Sequence, residues 1–256
     1  MPFFDEHNQP LDRIFLVQRS PRHFQLLRPI SFLAAGRPEQ ERVTIPAHDV
    51  DRPAVGDNQT DLASVPTFLW GLIASYGRQT SAALLHDHLS AQARHGNPAT
   101  RVRRQRDADR LFGVALIESG IPVLRASIMT SFVSIEKFVE FRRWQAYLMV
   151  VHVAVGIAFI YAAVGLVVGL WTPAVIFGPW MLVLFLAPAV STVFWLRDAT
   201  AMLVIIHAGV FLAPFVVVAF LAQLVLAIME STVWLATGRR GPAPVIGPTI
   251  LAQRRP

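Results

Sequence analysis

The chain contains no cysteine and a single lysine, and only 16% of its 256 residues are charged. The absence of cysteine excludes disulfides, a thiolate zinc site and a cysteine nucleophile. A typical globular chain carries about 25% charged residues, whereas 54% of the residues here are apolar and the mean hydropathy is +0.46. The composition therefore excludes a disulfide-stapled secreted protein and argues against an ordinary soluble one.

The charged residues are distributed unevenly along the chain. Residues 144–196 and 199–229 contain no Asp, Glu, Lys or Arg. Because a bilayer core of about 30 Å requires about 20 apolar residues of helix, the pattern predicts three transmembrane helices. They span about 147–170, 175–196 and 201–229. The predicted organisation is a soluble domain over 1–143, a membrane segment over 144–230 and a disordered basic tail over 231–256.

The ends of the predicted spans indicate an orientation. Residues 1–8 include Asp5 and Glu6 and lack the apolar core of a signal peptide, so we expect the soluble domain to stay in the cytoplasm. Lys137 and Arg143, just before the first span, agree with the positive-inside rule, whereas four arginines in the tail oppose it. The strong bias of Arg over Lys suggests a GC-rich bacterial genome. We therefore expect a multi-pass protein of the bacterial inner membrane.

Two histidines lie inside predicted spans. His152 and His207 are at similar depths in the first and third helices, which run parallel. Their imidazoles therefore allow a bis-histidine haem site or, alternatively, hydrogen bonds between helices. The second alternative is favoured because two histidines without further ligands are weak support for a cofactor. Gly156 and other small residues in the first span indicate close helix contacts.

The first 143 residues combine strand-like and helix-like patterns. Short β-branched or aromatic runs separated by Pro, Gly and charge predict strands at 14–18, 24–27, 30–34 and 42–45. A turn-rich loop over 48–60 follows, and helices are predicted after Pro66 and over 79–93, 104–119 and 124–143. The last helix is expected to run straight into the first span. The predicted fold class is α+β: a small N-terminal soluble domain of short antiparallel strands and then helices, followed by three transmembrane α-helices.

Three short polar motifs interrupt the apolar pattern of this domain. They are Thr60–Pro66 (T-D-L-A-S-V-P), the His86-Asp87-His88 run and the Asp107–Arg110 run. Burying ionisable groups is costly unless they are paired or bind something. Because a short loop makes the second and third helices antiparallel neighbours, Asp109 can reach back and orient His86. The other ring nitrogen would then be left to act as a base.

Two further carboxylates belong to these motifs. Asp61 and Asp87 are hard oxygen ligands that suit Ca²⁺ or Mg²⁺. The sequence equally allows a buried His–Asp–Asp hydrogen-bond network that only locks the helices together.

A basic run begins the third helix. Arg101, Arg103, Arg104 and Arg106 are candidates for binding anionic lipid headgroups, and they equally fit a solvated helix start. Nucleic-acid binding is not expected, because the soluble domain has a net formal charge of only +3 and no nucleic-acid motif. The expected partner is the lipid membrane, while a protein partner or a homo-oligomer stays open.

The order of the motifs resembles a known family. Ile45–Ala47, Thr60–Pro66, Ala82–Leu89 and Ala108–Phe112 together resemble the bacterial and phage family called domain of unknown function 1353, over about residues 24–121. The chain departs from the family pattern at His88 and Ser90, where the family usually has Tyr. It also has extra loop residues before Thr60 and an added membrane segment. The resemblance implies a fold and a motif but no reaction.

A weaker similarity is to secreted and prokaryotic phospholipases A2, which carry a His-Asp pair on one helix and pack it against an Asp-bearing helix. It implies that His86 is the base, Asp87 a calcium ligand and Asp109 the orienting group. The chain lacks their Gly-rich calcium loop and cysteines, and Ser90 stands where they have a supporting Tyr.

Two functions therefore compete. The favoured one is a bacterial integral membrane protein whose cytoplasmic domain is a structural or partner-binding module, with phage ancestry as one origin. The alternative is a membrane-anchored, metal-dependent hydrolase that acts on lipids.

Overall fold

The computed structural model describes residues 2–20, 23–62, 77–141, 143–167 and 180–239. In the described part of residues 2–141, five short strands are followed by three helices, which confirms the α+β class. The strands are β1 (Phe3–Phe4), β2 (Leu16–Gln18), β3 (Phe24–Leu26), β4 (Ile30–Phe32) and β5 (Val43–Ile45). The helices are α1 (Thr80–His95), α2 (Arg101–Glu118) and α3 (Val123–Phe141). The helix predicted after Pro66 lies outside the described residues.

All strand pairs are antiparallel. β4 lies between β1 and β5, with Phe32 opposite Phe3 and Ile30 opposite Ile45. β2 and β3 form a separate two-stranded sheet. The sequence did not predict β1, because two residues are too short to show any periodicity.

The core of the soluble domain lies between the strands and the inner faces of α1, α2 and α3. Phe32 and Leu26 from the strands pack with Leu85 of α1 and with Phe112 and Leu116 of α2. These side chains are almost completely removed from solvent. The apolar residues around the His-Asp motif therefore fix α1 in the core, and the motif histidine is carried inward with them.

Helices α1 and α2 pack side by side and antiparallel. His86 faces Asp109, and one turn further along α1 Ser90 faces Gln105. The connection between the helices is only five residues long, and Asn97 caps it by accepting the backbone N–H of Ala99 at 2.9 Å. The predicted return of the second helix onto the first is confirmed.

The apolar half contains α4 (Arg143–Val167), α5 (Trp180–Ser191) and α6 (Ala199–Ala236), with a 3₁₀ segment over Thr192–Asp198. Two segments of the described chain are long and apolar enough to cross a membrane, judged by length and composition: Arg143–Gly165 and Leu186–Ala236. This corrects the expectation of three separate spans.

The correction concerns the predicted span over 175–196. Its first five residues lie outside the described part, and from Trp180 the α-helix lasts only 12 residues. Pro188 lies inside this helix and lacks a backbone N–H donor, and the tighter 3₁₀ segment then leads directly into α6. The described residues of this span therefore form a short helix, and a kink at Leu196, where the backbone is not helical, separates it from α6.

The other helix boundaries also differ from the prediction. α6 continues to Ala236, so residues 231–236, which the sequence assigned to the disordered tail, are helical. The rest of that tail is described only to residue 239. α3 ends at Phe141 and α4 begins at Arg143, while residue 142 between them is not described.

Helices α4 and α6 run parallel and meet at two glycines. A Cβ added to Gly156 would come within 3.0 Å of Ile206, and one added to Gly209 would come within 2.7 Å of Ile157. From the first contact to the second, the residue numbers increase along both helices, so the two helices are parallel. The predicted close approach at Gly156 is confirmed.

The two histidines of the predicted spans have separate partners. Trp195 donates its indole N–H to His152 Nδ1 at 3.0 Å, so His152 carries its proton on Nε2 and donates it to Ser191 Oγ at 2.8 Å. His207 Nδ1 bonds the Leu203 carbonyl of its own helix at 2.8 Å. His152 therefore joins helix segments by hydrogen bonds, which is the alternative that the sequence analysis favoured over haem.

Candidate functional site

A buried histidine–aspartate pair lies between α1 and α2. His86 Nε2–H donates to Asp109 Oδ1 at 3.1 Å, and the two residues are 5% and 2% exposed. The imidazole ring also packs against Phe112, with the ring centroids 5.1 Å apart. The structure therefore brings together the two residues that the sequence predicted as base and orienting group.

Gln105 and Ser90 complete the surroundings of the pair. Gln105 Nε2 donates to Ser90 Oγ at 2.8 Å and to Asp109 Oδ1 at 3.3 Å. Ser90 Oγ lies 3.4 Å from His86 Nε2. The sequence analysis missed Gln105, although its position four residues before Asp109 places both on one face of a helix. Asp109 therefore accepts hydrogen bonds from both His86 and Gln105.

His86 of this pair lines a polar cleft of about 460 Å³. The outer side of α1 forms one wall, and the chain from Ile45 to Asp61 contributes the other. Five of the eight histidines of the chain line this cleft: His23, His48, His86, His88 and His95. A cavity lined by this many polar groups suits the polar part of a ligand.

The first sequence motif reaches the second through Thr60. The Thr60 hydroxyl donates to Asp87 on α1 and accepts the backbone N–H of Leu62 at 3.0 Å. Leu62 has a φ of 60°, a conformation that non-glycine residues rarely adopt, and it is buried. The turn at Asp61 is therefore fixed beside the cleft by contacts on both sides. The remainder of this motif, residues 63–66, lies outside the described chain.

Asp61 and Asp87, the predicted metal ligands, both line the cleft. Within the ranges that the structure describes, no group of three or more His, Asp or Glu side chains is arranged to hold a metal ion. A carboxylate pair supplies fewer oxygen ligands than Ca²⁺ usually takes, so waters would have to complete the shell. The role of these two residues in binding Ca²⁺ or Mg²⁺ stays a prediction.

Two other cleft histidines are held in the neutral form. Burial lowers the pKa of His48, and the nearby His88 lowers it further. Burial also lowers the pKa of His88. His48 Nδ1 accepts the backbone N–H of Leu26 at 3.0 Å, which only an unprotonated ring nitrogen can do. At neutral pH the cleft therefore presents uncharged imidazoles beside its carboxylates.

The loop over 48–60 is irregular, as predicted, and hydrogen bonds from a buried glutamine hold it in place. The buried Gln25 donates to the Asp49 carbonyl at 2.9 Å and to the Asn58 carbonyl at 3.1 Å. Asn58 in turn donates to the Asp49 carbonyl at 2.8 Å. These bonds hold the loop so that Gly56 and Asp57 line the rim of the cleft.

The four arginines predicted to bind lipid headgroups have different surroundings. Arg106 forms an ion pair with Asp198 at the start of α6, with an N–O distance of 3.0 Å. Its guanidinium group is therefore already bound to a carboxylate of the protein. Arg101 donates to the Gly96 carbonyl at 3.3 Å, and Arg103 and Arg104 are exposed. Headgroup binding by these three stays a prediction.

These features define a small α+β domain with a buried His–Asp pair at a polar cleft. A family model described as "Protein of unknown function (DUF1353)" matches residues 54–133, which include Asp61, His86 and Asp109. This match supports the resemblance drawn from the motifs, and it stops short of the apolar segment. No curated protein matches the chain, and no solved structure matches it.

Proposed function

We propose that the chain is a membrane-anchored hydrolase in which His86 activates water. The observation that carries the proposal is the 3.1 Å bond from His86 Nε2 to Asp109 at the wall of the polar cleft. A bonded carboxylate beside a cleft-lining imidazole is the arrangement that a general base requires. It favours the enzyme hypothesis over a module without chemistry.

The proposed chemistry follows from the tautomer. A neutral imidazole carries one N–H, and that proton on Nε2 would be donated to Asp109. The imidazole would take a proton from water as the water oxygen attacks an ester carbonyl, and it would return a proton to the departing alkoxide oxygen, so that a carboxylate and an alcohol are released. The imidazolium formed in that step would be stabilised by the ionised Asp109. Gln105 supports this role because its N–H bond keeps the Asp109 carboxylate an acceptor.

The carboxylates of Asp61 and Asp87 are proposed to act on the substrate side of the cleft. A bound Ca²⁺ or Mg²⁺ would polarise the attacked carbonyl and stabilise the developing oxyanion. Both side chains line the same cleft as His86. A metal requirement is therefore part of the proposal and is tested with it.

A structural or partner-binding module remains the second candidate. The low exposure of His86 and Asp109 favours it, because a sealed network would serve to lock α1 to α2. However, Gln105 Oε1 is buried without a hydrogen-bond partner among the described residues. A network with a purely structural role normally satisfies its buried acceptors, so this atom favours a site that receives a further molecule.

The membrane attachment is proposed from two apolar segments, Arg143–Gly165 and Leu186–Ala236, the second of which is interrupted by a kink at Leu196. We assign the protein to the bacterial inner membrane with the soluble domain in the cytoplasm. Arg143 and Arg197 border the uncharged run 144–196, and positive residues favour the cytoplasmic side. Phage ancestry of the N-terminal domain is proposed from its motif resemblance to a bacterial and phage family.

The test is fatty-acid release by the full-length protein in mixed micelles of phosphatidylethanolamine and phosphatidylglycerol, with Ca²⁺, with Mg²⁺ or with EDTA. We expect metal-dependent release that His86→Ala abolishes. His95→Ala is the matched control, because His95 lines the same cleft but bonds the Ala91 carbonyl of its own helix. Equal loss in both variants would contradict a specific role for His86.

A second measurement separates the two candidates. Diethyl pyrocarbonate acylates accessible, unprotonated imidazoles, and mass spectrometry reports which histidine reacts. A base open to the cleft predicts modification of His86 in the native protein. A structural network instead predicts that His86 stays unmodified until the protein unfolds and that His86→Ala lowers the melting temperature strongly.

A further inference from the structure

The 3₁₀ segment between α5 and α6 presents large apolar side chains outward. Val193, Phe194 and Leu196 are 65%, 86% and 79% exposed. Apolar side chains this exposed and this close together mark a surface that contacts another apolar phase. Arg197, which follows directly, is exposed as well.

Two residues of the same segment hold it in this position. Trp195 turns inward, where it meets Phe138 edge-on with ring centroids 5.8 Å apart and donates to His152. Asp198 is buried and pairs with Arg106 of the soluble domain. Between them Leu196 has a φ of 50°, a conformation that persists when surrounding contacts impose it. These contacts therefore hold the side chains of Val193, Phe194 and Leu196 in their exposed positions.

The start of α4 presents a second exposed group at the same level. Trp144 and Tyr147 stack with ring centroids 5.7 Å apart, and both are largely exposed. Their neighbours Gln145 and Leu148 line one groove together with Phe194. The aromatic pair and the 3₁₀ segment therefore lie on adjoining parts of one surface.

We propose that Trp144, Tyr147, Val193, Phe194 and Leu196 form an interfacial collar that lies at the headgroup level of a phospholipid bilayer. The proposal rests on the membrane insertion proposed above, and it adds the depth at which the collar residues lie in the bilayer. Trp and Tyr concentrate at this level because their rings are amphipathic. Arg143 and Arg197 flank the collar in the sequence, and headgroup phosphates accept such cations.

The collar fixes the catalytic pair relative to the lipid surface. Leu196 lies two residues before Asp198, and Asp198 bonds Arg106. Arg106 lies one helical turn before Asp109, which bonds His86. Only these few contacts separate the lipid surface from His86, so the site would receive substrate presented at the membrane surface.

The absence of cysteine makes the proposal directly testable. A nitroxide spin label is attached to F194C in the full-length protein, reconstituted in vesicles of phosphatidylethanolamine and phosphatidylglycerol. Its depth is read from relaxation by oxygen and by a water-soluble nickel chelate. V55C, on an exposed loop of the soluble domain, is the aqueous reference. F211C is the deep reference, since the exposed Phe211 is about 18 Å along α6 from Ala199.

We expect the label at position 194 within about 5–10 Å of the phosphate level, between the two references. A label on W144C should give the same depth. Agreement between the two labels would show that the result at position 194 does not come from a local folding defect. Labels at 194 and 144 as aqueous as V55C, or as deep as F211C, would overturn the collar while leaving membrane insertion intact. If F211C itself is aqueous, membrane insertion fails and the collar fails with it.

Discussion

The substitution of Asp109 separates the catalytic role of this carboxylate from its structural role. Asp109→Ala removes the acceptor that both His86 and Gln105 use. Asp109→Asn keeps an acceptor oxygen of the same size in the same place but removes the charge. The two variants should therefore differ strongly in stability and little in activity.

The magnitudes follow from burial and bonding. Asp109 is 2% exposed, so its loss leaves two buried donors unsatisfied. Each unsatisfied donor costs about 1–3 kcal/mol, and we expect Asp109→Ala to lower the free energy of unfolding by about 3 kcal/mol. The melting temperature of a domain of this size falls by about 4–8 °C per kcal/mol. Asp109→Asn should cost only about 1 kcal/mol, because one polar contact weakens and none is left empty.

The predicted loss of hydrolysis depends on the carboxylate charge of Asp109, which both substitutions remove. Neither substitution leaves a carboxylate that stabilises the imidazolium and enforces the Nε2 proton, so hydrolysis should fall by about 100-fold or more in both variants. The assays are thermal unfolding of the full-length protein in detergent and fatty-acid release from mixed micelles. Wild-type activity in the Asp109→Asn variant would refute the role of Asp109 as the orienting group. Equal losses of melting temperature in both variants would refute the hydrogen-bond argument.

Three further outcomes follow from the contacts. Gly156→Leu should cost about 1–3 kcal/mol because the new side chain overlaps Ile206, and thermal unfolding should show it, whereas the exposed Val155→Leu should not change stability. Arg106→Leu should cost about 2 kcal/mol by removing the ion pair with the buried carboxylate of Asp198, and proteolysis should then release the N-terminal domain faster; an unchanged cleavage rate would contradict the pairing. Because burial lowers the pKa of His88, the unfolded chain binds its proton first, so stability should fall as pH drops below about 6.5. Melting curves of His88→Gln should show a shallower fall, and identical slopes would contradict this.

The fold could be predicted where the pattern repeats over several turns. The helices at α1, α2 and α3 and the four longer strands follow from hydrophobic periodicity and from Pro and Gly at their ends. The number of spans could not be obtained in this way. Hydropathy counts apolar residues, but it does not show that Pro188 and the 3₁₀ segment after Ser191 interrupt the α-helix before α6.

The site shows the same division between local and long-range information. The contact of His86 with Asp109 could be predicted, because a connection of five residues makes α1 and α2 pack as antiparallel neighbours. The bond between Arg106 and Asp198 spans 92 residues and joins two regions that the sequence separates into different solvents. No periodic pattern encodes such a pair, since each residue alone resembles an ordinary charge at the end of a helix.

This pair changes how the soluble domain and the apolar half are related. Arg106 and Asp109 lie three residues apart on α2, so one helix carries both the bond to α6 and the acceptor for His86. A shift of α2 by one ångström would lengthen both bonds at once, because a helix moves as a rigid rod over a single turn. The position of the His86–Asp109 pair is thus determined partly by the segment that precedes α6. A soluble domain cut off at residue 143 should therefore fold with a weakened His86–Asp109 contact, even though it retains every residue of the motif.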